Sequence, residues 1–235
     1  MSAGGAILRR VFEEIRPLIK EGVRTNQIDR KVEELIRSAG GEPAFKQVSG
    51  YKWASCICIN EEVVHTPPSD RVITFGALVT VDAGIYYQGF NTDKADTYLV
   101  GESRAKIKKF LEVGRQTLGL AIRQVRHGNY IADISKAIYQ NITENGYYVV
   151  KELTGHGVGK SLHEDPMIPG FINKRLKPVK IVNGMALAIE VIYSQSKGPI
   201  RLEKDHWSLT APSGTLTACF EETVAIKNQN TLILT

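Results

Sequence analysis

Four acidic residues stand inside apolar, strand-like runs. Asp82 closes Leu78-Val79-Thr80-Val81, and Asp93 follows eleven positions later, across Gln88-Gly89-Phe90-Asn91. Glu190 sits between Met185-Ala186-Leu187-Ala188-Ile189 and Val191-Ile192-Tyr193. Glu221 sits between Ala218-Cys219-Phe220 and Thr223-Val224-Ala225-Ile226. Charged side chains are rarely buried without a partner. One such acid alone reads as half of a salt bridge or as an exposed strand position. Four together repel one another unless protons or metal ions neutralise them. The turn-like segment between Asp82 and Asp93 suits a hairpin that brings these two carboxylates together.

The histidines extend the set. Thr154-Gly155-His156-Gly157-Val158-Gly159 reads as a glycine-rich turn centred on His156, where glycine allows the close approach that a metal or substrate needs. His163 opens His163-Glu164-Asp165-Pro166, and His65 stands between Glu62-Val63-Val64 and Thr66-Pro67-Pro68. Taken singly, each of these reads as a structural histidine. Carboxylates with an imidazole form a hard-to-borderline donor set, suited to Mn, Fe, Co or Zn in a two-metal site more than to a thiolate zinc site. Cys56 and Cys58 form a lone C-x-C with no second pair and read as strand packing.

Helices must flank these strands. Ile7, Leu8, Val11, Phe12, Ile15, Leu18 and Ile19 recur at helical spacing and predict a first helix ending near Gly22. A second helix, with Thr25 as N-cap, carries Ile28, Val32, Leu35 and Ile36 and stops at Gly40-Gly41. A long helix is expected from about Ser103 to Val125, and a shorter one along Ile134, Ile138 and Ile142 up to Gly146. Strands are expected at Cys56 to Ile59, Ala77 to Ala83, Thr97 to Val100, Tyr147 to Glu152, Met185 to Tyr193, Leu216 to Ile226 and Leu232 to Leu234. The order is helix, helix, strands, twice over. It predicts one α+β domain over 1–235, with two halves meeting near residue 110 and helices packed on one face of a curved, mostly antiparallel sheet.

Composition narrows the class. Hydrophobic residues make up 43% and charged residues 23% of 235, an ordinary globular balance. No apolar run approaches the ~20 residues of a membrane span, and the opening Met1-Ser2-Ala3-Gly4-Gly5 leads into an amphipathic segment unlike a secretory signal. Three cysteines cannot all pair within the chain, which favours a reducing compartment and predicts a cytoplasmic protein. The net charge of +5 permits proximity to a ribosome, but no basic block with interleaved aromatics marks a nucleic-acid groove.

In this order, these residues resemble the methionine aminopeptidases of the pita-bread fold. The matching segments are Ile59-Asn60-Glu61-Glu62-Val63-Val64-His65, Val81-Asp82-Ala83-Gly84, Gly89-Phe90-Asn91-Thr92-Asp93, Gly155-His156-Gly157-Val158-Gly159 through Pro166, Ala188-Ile189-Glu190 and Phe220-Glu221-Glu222-Thr223. Within the family the chain is similar to the short bacterial type I form. The resemblance implies a pita-bread fold of two pseudo-symmetric halves and two divalent metal ions. It implies that Asp82 chelates one ion, that Asp93 and Glu221 bridge both, and that His156 and Glu190 complete the other. It further implies Glu190 as proton shuttle, His163 as hydrogen-bond donor to the developing oxyanion, and His65 as a contact to the peptide beyond the scissile bond. Tyr51, Cys56, Leu162 and Trp207 fall where the family lines its methionine pocket.

The implied activity is removal of the initiator methionine from nascent polypeptides with a small second residue. Three departures accompany it: Thr66-Pro67 for a usual Gly-Ile, Val191 for a usual proline, and Glu222 for a usual histidine. The first puts bulk beside the substrate path. Two other readings share the fold: an X-Pro or general aminopeptidase, and a binding protein without catalysis, whose members lack several of the ligands present here.

Overall fold

The structure, a computed structural model, describes residues 1–102, 105–173, 175 and 177–235. Helix α1 (Ser2–Ile15) buries Leu8, Val11, Phe12 and Ile15 along one stripe. It ends earlier than the apolar spacing predicts. Pro17 removes a backbone donor, and Arg16–Leu18 tightens into a 3-10 turn. Helix α2 (Thr25–Ser38) buries Ile28, Val32 and Ile36. Thr25 is its first helical residue rather than its N-cap, which is Arg24. The Thr25 hydroxyl instead donates to the Ser69 carbonyl at 3.0 Å. Helices α3 (Ala105–Gln124) and α4 (Ile131–Glu144) follow. The expected start of α3 at Ser103 lies outside the described residues, and residue 110 falls inside this helix.

Ten strands form one sheet: β1 (Glu42–Pro43), β2 (Ser55–Ile59), β4 (Leu78–Tyr87), β5 (Phe90–Leu99), β6 (Tyr148–Val149), β7 (Thr154–Gly157), β8 (Glu164–Pro169), β9 (Ala186–Ser194), β12 (Thr217–Lys227) and β13 (Asn230–Ile233). Its main path is β1-β4-β5-β12-β9-β7-β8; β2 pairs β4, β6 pairs β9 and β13 pairs β12. A small second sheet joins β3 (Glu62–Val64), β10 (Arg201–Leu202) and β11 (Leu209–Thr210). The pairings between described strands are antiparallel, for example β4 with β5 and β12 with β9. Sequence periodicity places most strands but shortens them: β4 and β5 run ten residues each as one hairpin. The stretch expected at Tyr147 to Glu152 is a strand only over Tyr148–Val149. The segment read as a glycine-rich turn is strand β7, held between β8 and β9.

Alternation along the strands separates two faces. Val79, Val81, Ala83 and Ile85 of β4 pack with α1 and α2 in one core. Leu187, Ile189, Val191 and Tyr193 of β9 and Phe220 and Val224 of β12 pack with α3 and α4 in a second core. Helices of both halves therefore cover the same side of the sheet. The other parity, which includes Asp82, Asp93, Glu190 and Glu221, faces away from the helices. The hairpin and the central strands thus deliver all four acids to one surface.

Candidate metal centre

The register brings the acids together. In the β4–β5 hairpin Asp82 lies opposite Ala95, and Asp93 opposite Gly84, so the two aspartates are diagonal neighbours on one face. Across the centre, Glu221 is opposite Ala95 on one side and Glu190 on the other. Gly84 is needed here: a Cβ would lie 2.9 Å from the Ala44 Cβ and 3.3 Å from Asp93 Oδ1.

His156 enters from β7, opposite Ala188 of β9. A Cβ on Gly155 would lie 2.5 Å from the Ala188 carbonyl oxygen, and one on Gly157 2.2 Å from that of Asp165. The glycines therefore serve close strand packing, not a turn. His156 Nδ1 donates to the Gly157 carbonyl at 2.8 Å. That carbonyl can only accept, so the bond fixes the tautomer and leaves Nε2 free, 3.5 Å from Glu190 Oε1. Donor atoms of Asp93, His156 and Glu221 lie within 4.8 Å of one another.

The electrostatics leave the acids to be neutralised by protons or by a cation. Burial pushes Asp82, Glu190 and Glu221 well above the usual carboxylate range, and neighbouring carboxylates push them further. Burial raises Asp93 to about 7. Burial also lowers His156 to about 4, which keeps it neutral and able to bind a metal. Asp82 Oδ1 and Glu221 Oε1 are buried without a hydrogen-bond partner. Orphaned acceptors of this kind are costly, and hard oxygen donors with one imidazole suit divalent metal ions. The residues present therefore fit the metals that the sequence implies.

The centre forms one wall of a cavity of about 280 Å³ that also holds Tyr51, Cys56, His65, Leu162, His163 and Trp207. All eleven residues singled out from the sequence line this one cavity. His163 stacks edge-on against His156 with ring centroids 4.6 Å apart. Tyr51 stands edge-on to Trp207 at 5.0 Å, donates to the Ser55 carbonyl at 2.9 Å and sits 3.1 Å from the Cys56 sulfur. Asp29 of α2 anchors this corner, accepting from the Ala54 and Ser55 N–H groups at 2.9 Å each. That bond pair fixes where β2 begins and so where Cys56 points.

Known proteins match this chain. The model of metallopeptidase family M24 matches residues 1–227. The chain belongs to this family. It is 36% identical to methionine aminopeptidase 1 of Bacillus subtilis, over 100% of this chain and 94% of that protein. It is also 36% identical to the methionine aminopeptidase of Borreliella burgdorferi, over 100% of this chain and 93% of that one. The solved methionine aminopeptidase of Thermotoga maritima superposes with a TM-score of 0.95 at 35% identity, covering 100% of this chain and 94% of its own. The pita-bread fold expected from the sequence is therefore the fold of this chain. As an M24 metallopeptidase it is a metal-dependent hydrolase whose cofactor is divalent metal.

Periodicity and motifs missed several residues of the same cavity. Phe45 and Val48 come from the 3-10 turn Ala44–Gln47 and its cap, too short for any repeat to mark. Glu152 and Leu153 precede the motif that begins at Thr154 and form part of the cavity wall with it. Their one signal is proximity to His156, which the sequence reading did not extend upstream of Thr154.

Proposed function

We propose that this chain, acting as one catalytic domain over 1–235, removes the N-terminal methionine from nascent polypeptides by metal-dependent hydrolysis of the first peptide bond. The observation that carries the reading is a cluster of buried acids and His156 in the same cavity as an apolar slot of Tyr51, Cys56, Leu162 and Trp207.

In this reading Asp82, Asp93, His156, Glu190 and Glu221 would hold two divalent ions, Asp93 and Glu221 lying between the remaining ligands. When bound, such ions supply Lewis acidity and activate water near neutral pH. Glu190, at the cavity, would accept the proton that the attacking water loses and pass it to the leaving amine. His163 Nε2 or Nδ1 donates to the oxygen that develops negative charge, a contribution of ~3 kcal/mol in comparable sites. His65 contacts the peptide beyond the scissile bond. Its left-handed backbone, φ 63°, directs the chain from β3 into Thr66-Pro67, which line a neighbouring pocket that shares Trp207 with this cavity.

Substrate choice follows from the slot. Burying a methionine side chain there contributes roughly 1.5–3 kcal/mol. Its thioether meets the ring edges of Tyr51 and Trp207, a contact that a branched leucine does not reproduce. Bulk at His65, which lines the cavity, favours a small second residue; Thr66 and Pro67, expected from the sequence to crowd the same path, line the neighbouring pocket instead. The three cysteines are all buried and free, which supports action in a reducing compartment, the cytoplasm. Among the described residues no helix is long and apolar enough to cross a membrane.

Competition among Met-Ala, Met-Ser, Met-Leu, Leu-Ala and Ala-Pro peptides, with Mn, Co, Fe or Zn supplied, tests the reading. Met-Ala and Met-Ser should be cut in preference. Leu-Ala cut as fast as Met-Ala would replace the methionine assignment with a general aminopeptidase. Met-Leu matching Met-Ser would remove only the crowding at the second position.

A further inference from the structure

Asp93 and Glu221 lie on strands from different halves of the chain, and those strands share little ladder. β5 and β12 register through Glu221 with Ala95 and Glu222 with Lys94. Threonine hydroxyls stand in for further main-chain pairing. Thr223 Oγ1 accepts from the Asp93 N–H and donates to the Asp93 carbonyl, each at 2.8 Å. Thr97 Oγ1 does the same for Cys219, at 3.0 and 2.9 Å. These bonds hold the face that carries the metal-centre acids.

The opposite face is held by charge. Lys94 and Glu222, each next in sequence to a centre acid, form a cross-strand ion pair whose side chains are 12% and 20% exposed. The other Glu222 oxygen accepts from the Thr235 hydroxyl at 2.7 Å, and that hydroxyl accepts from the Thr223 N–H at 2.9 Å. The Lys94 ammonium lies 5.6 Å from the centroid of Phe12 on α1, and the Lys94 N–H donates to Asp93 Oδ1 at 3.0 Å. The groups around the pair therefore reach Asp93, the neighbouring strand residue Thr223 and the helix behind them.

We propose that the Lys94–Glu222 pair is a positioning strap that sets the separation of Asp93 and Glu221 and so preorganises the metal centre. Ligating oxygens must keep one separation, and a seam with few registered residues leaves that separation loosely fixed. Opposite charges directly across the strands, behind the acids, hold the two strands together there. Outer partners that orient ligands in this way govern metal affinity, with losses of about 10- to 100-fold when they are removed. The strap rests on the reading that Asp93 and Glu221 hold the metals.

The test uses the whole chain with Lys94→Met, Glu222→Gln and the double variant. Mn(II) affinity is measured by calorimetry after chelator treatment, and thermal melting is followed on the metal-free proteins. Lys94→Met keeps the stem that packs on Phe12, and Glu222→Gln keeps the volume. Each single variant should bind Mn(II) about 10-fold more weakly or worse. The metal-free melting temperature should move by less than about 4 °C, as for one cross-strand pair. The double variant should be no weaker than the weaker single, because the two residues act as one unit. Wild-type affinity in the singles, additive losses in the double, or a metal-free melting drop beyond that range would each overturn the strap. Asp93→Asn separates the two readings. If it loses Mn(II) while the strap variants do not, the strap alone fails; if it binds like wild type, the ligand assignment fails and the strap with it.

Discussion

Loading the centre with metal should expel more than one proton, and the number can be worked from the site. Burial holds Asp93 at about 7 and keeps Asp82, Glu190 and Glu221 well above the usual carboxylate range. At pH 6 a carboxyl with that Asp93 value is roughly 0.9 protonated, and burial biases the three others toward the protonated form. His156, lowered to about 4, is already neutral there and adds nothing. Metal ligands must be deprotonated, so saturation with Mn(II) at pH 6 should release more than one proton, about 0.9 of it from Asp93 and the remainder from the other three acids. At pH 8 Asp93 is mostly ionised beforehand, and the count should fall by about one. Calorimetric titrations in buffers of different ionisation enthalpy read this number directly, and Glu221→Gln should lower it by about one. Release of less than one proton at pH 6 would refute the reasoning. The acids would then be ionised without metal, and burial would not be what governs them.

Three further outcomes follow from the same geometry. In the metal-free protein, the contribution of Asp93 is fully present below 3.8 and lost as pH rises through about 7, whereas that of His156 is present above 6.5 and lost as pH falls through about 4. Above about pH 7.5 His65, His156 and His163 are close to neutral in both states, so the metal-free protein should melt lower at pH 8.5 than at pH 7.5; a rise over that interval would count against the buried acids. His163→Ala should keep its metals and lose about 10²-fold in rate, and a parallel loss of metal would make His163 a ligand instead. Gly155→Ala places a Cβ 2.5 Å from the Ala188 carbonyl oxygen. It should cost about 1–3 kcal/mol and weaken metal binding by shifting His156, and wild-type melting would show that β7 has room to spare.

How much of this was legible in the sequence depends on the range of the interaction that decides each element. The helical stripes of α1, α2 and α4 are local, and they are found where periodicity puts them. Their ends are set by single residues: Pro17 stops α1 early, and Ser69, 44 residues away, draws the Thr25 hydroxyl out of a capping role. β7 escaped because its glycines are poor strand formers. Only β8 and β9, which need those glycines for close approach, make it a strand. The cavity wall at Phe45 and Val48 depends on contacts with Tyr51 and Leu162 that no short-range pattern encodes.

The choice between Glu221 and Glu222 shows where pattern alone does decide. Both are glutamates in one strand, and a one-residue slip would send Glu221 to the helix side and Glu222 to the cavity. The flanking apolar residues forbid the slip. Ala218, Phe220, Val224 and Ile226 share the parity of Glu222 and fill the core beneath α3 and α4. Moving them to the cavity face would forfeit roughly 1.5–3 kcal/mol for each large side chain. Glu222 can stay on the helix side because Lys94 and Thr235 meet it there. Among the described residues Glu221 forms no ion pair, although the Lys94 charge is felt there, and its Oε1 stays buried without a partner. Two adjacent and identical side chains thus acquire different chemistry from strand parity. One is neutralised by a lysine behind the sheet; the other is left for a metal in front of it.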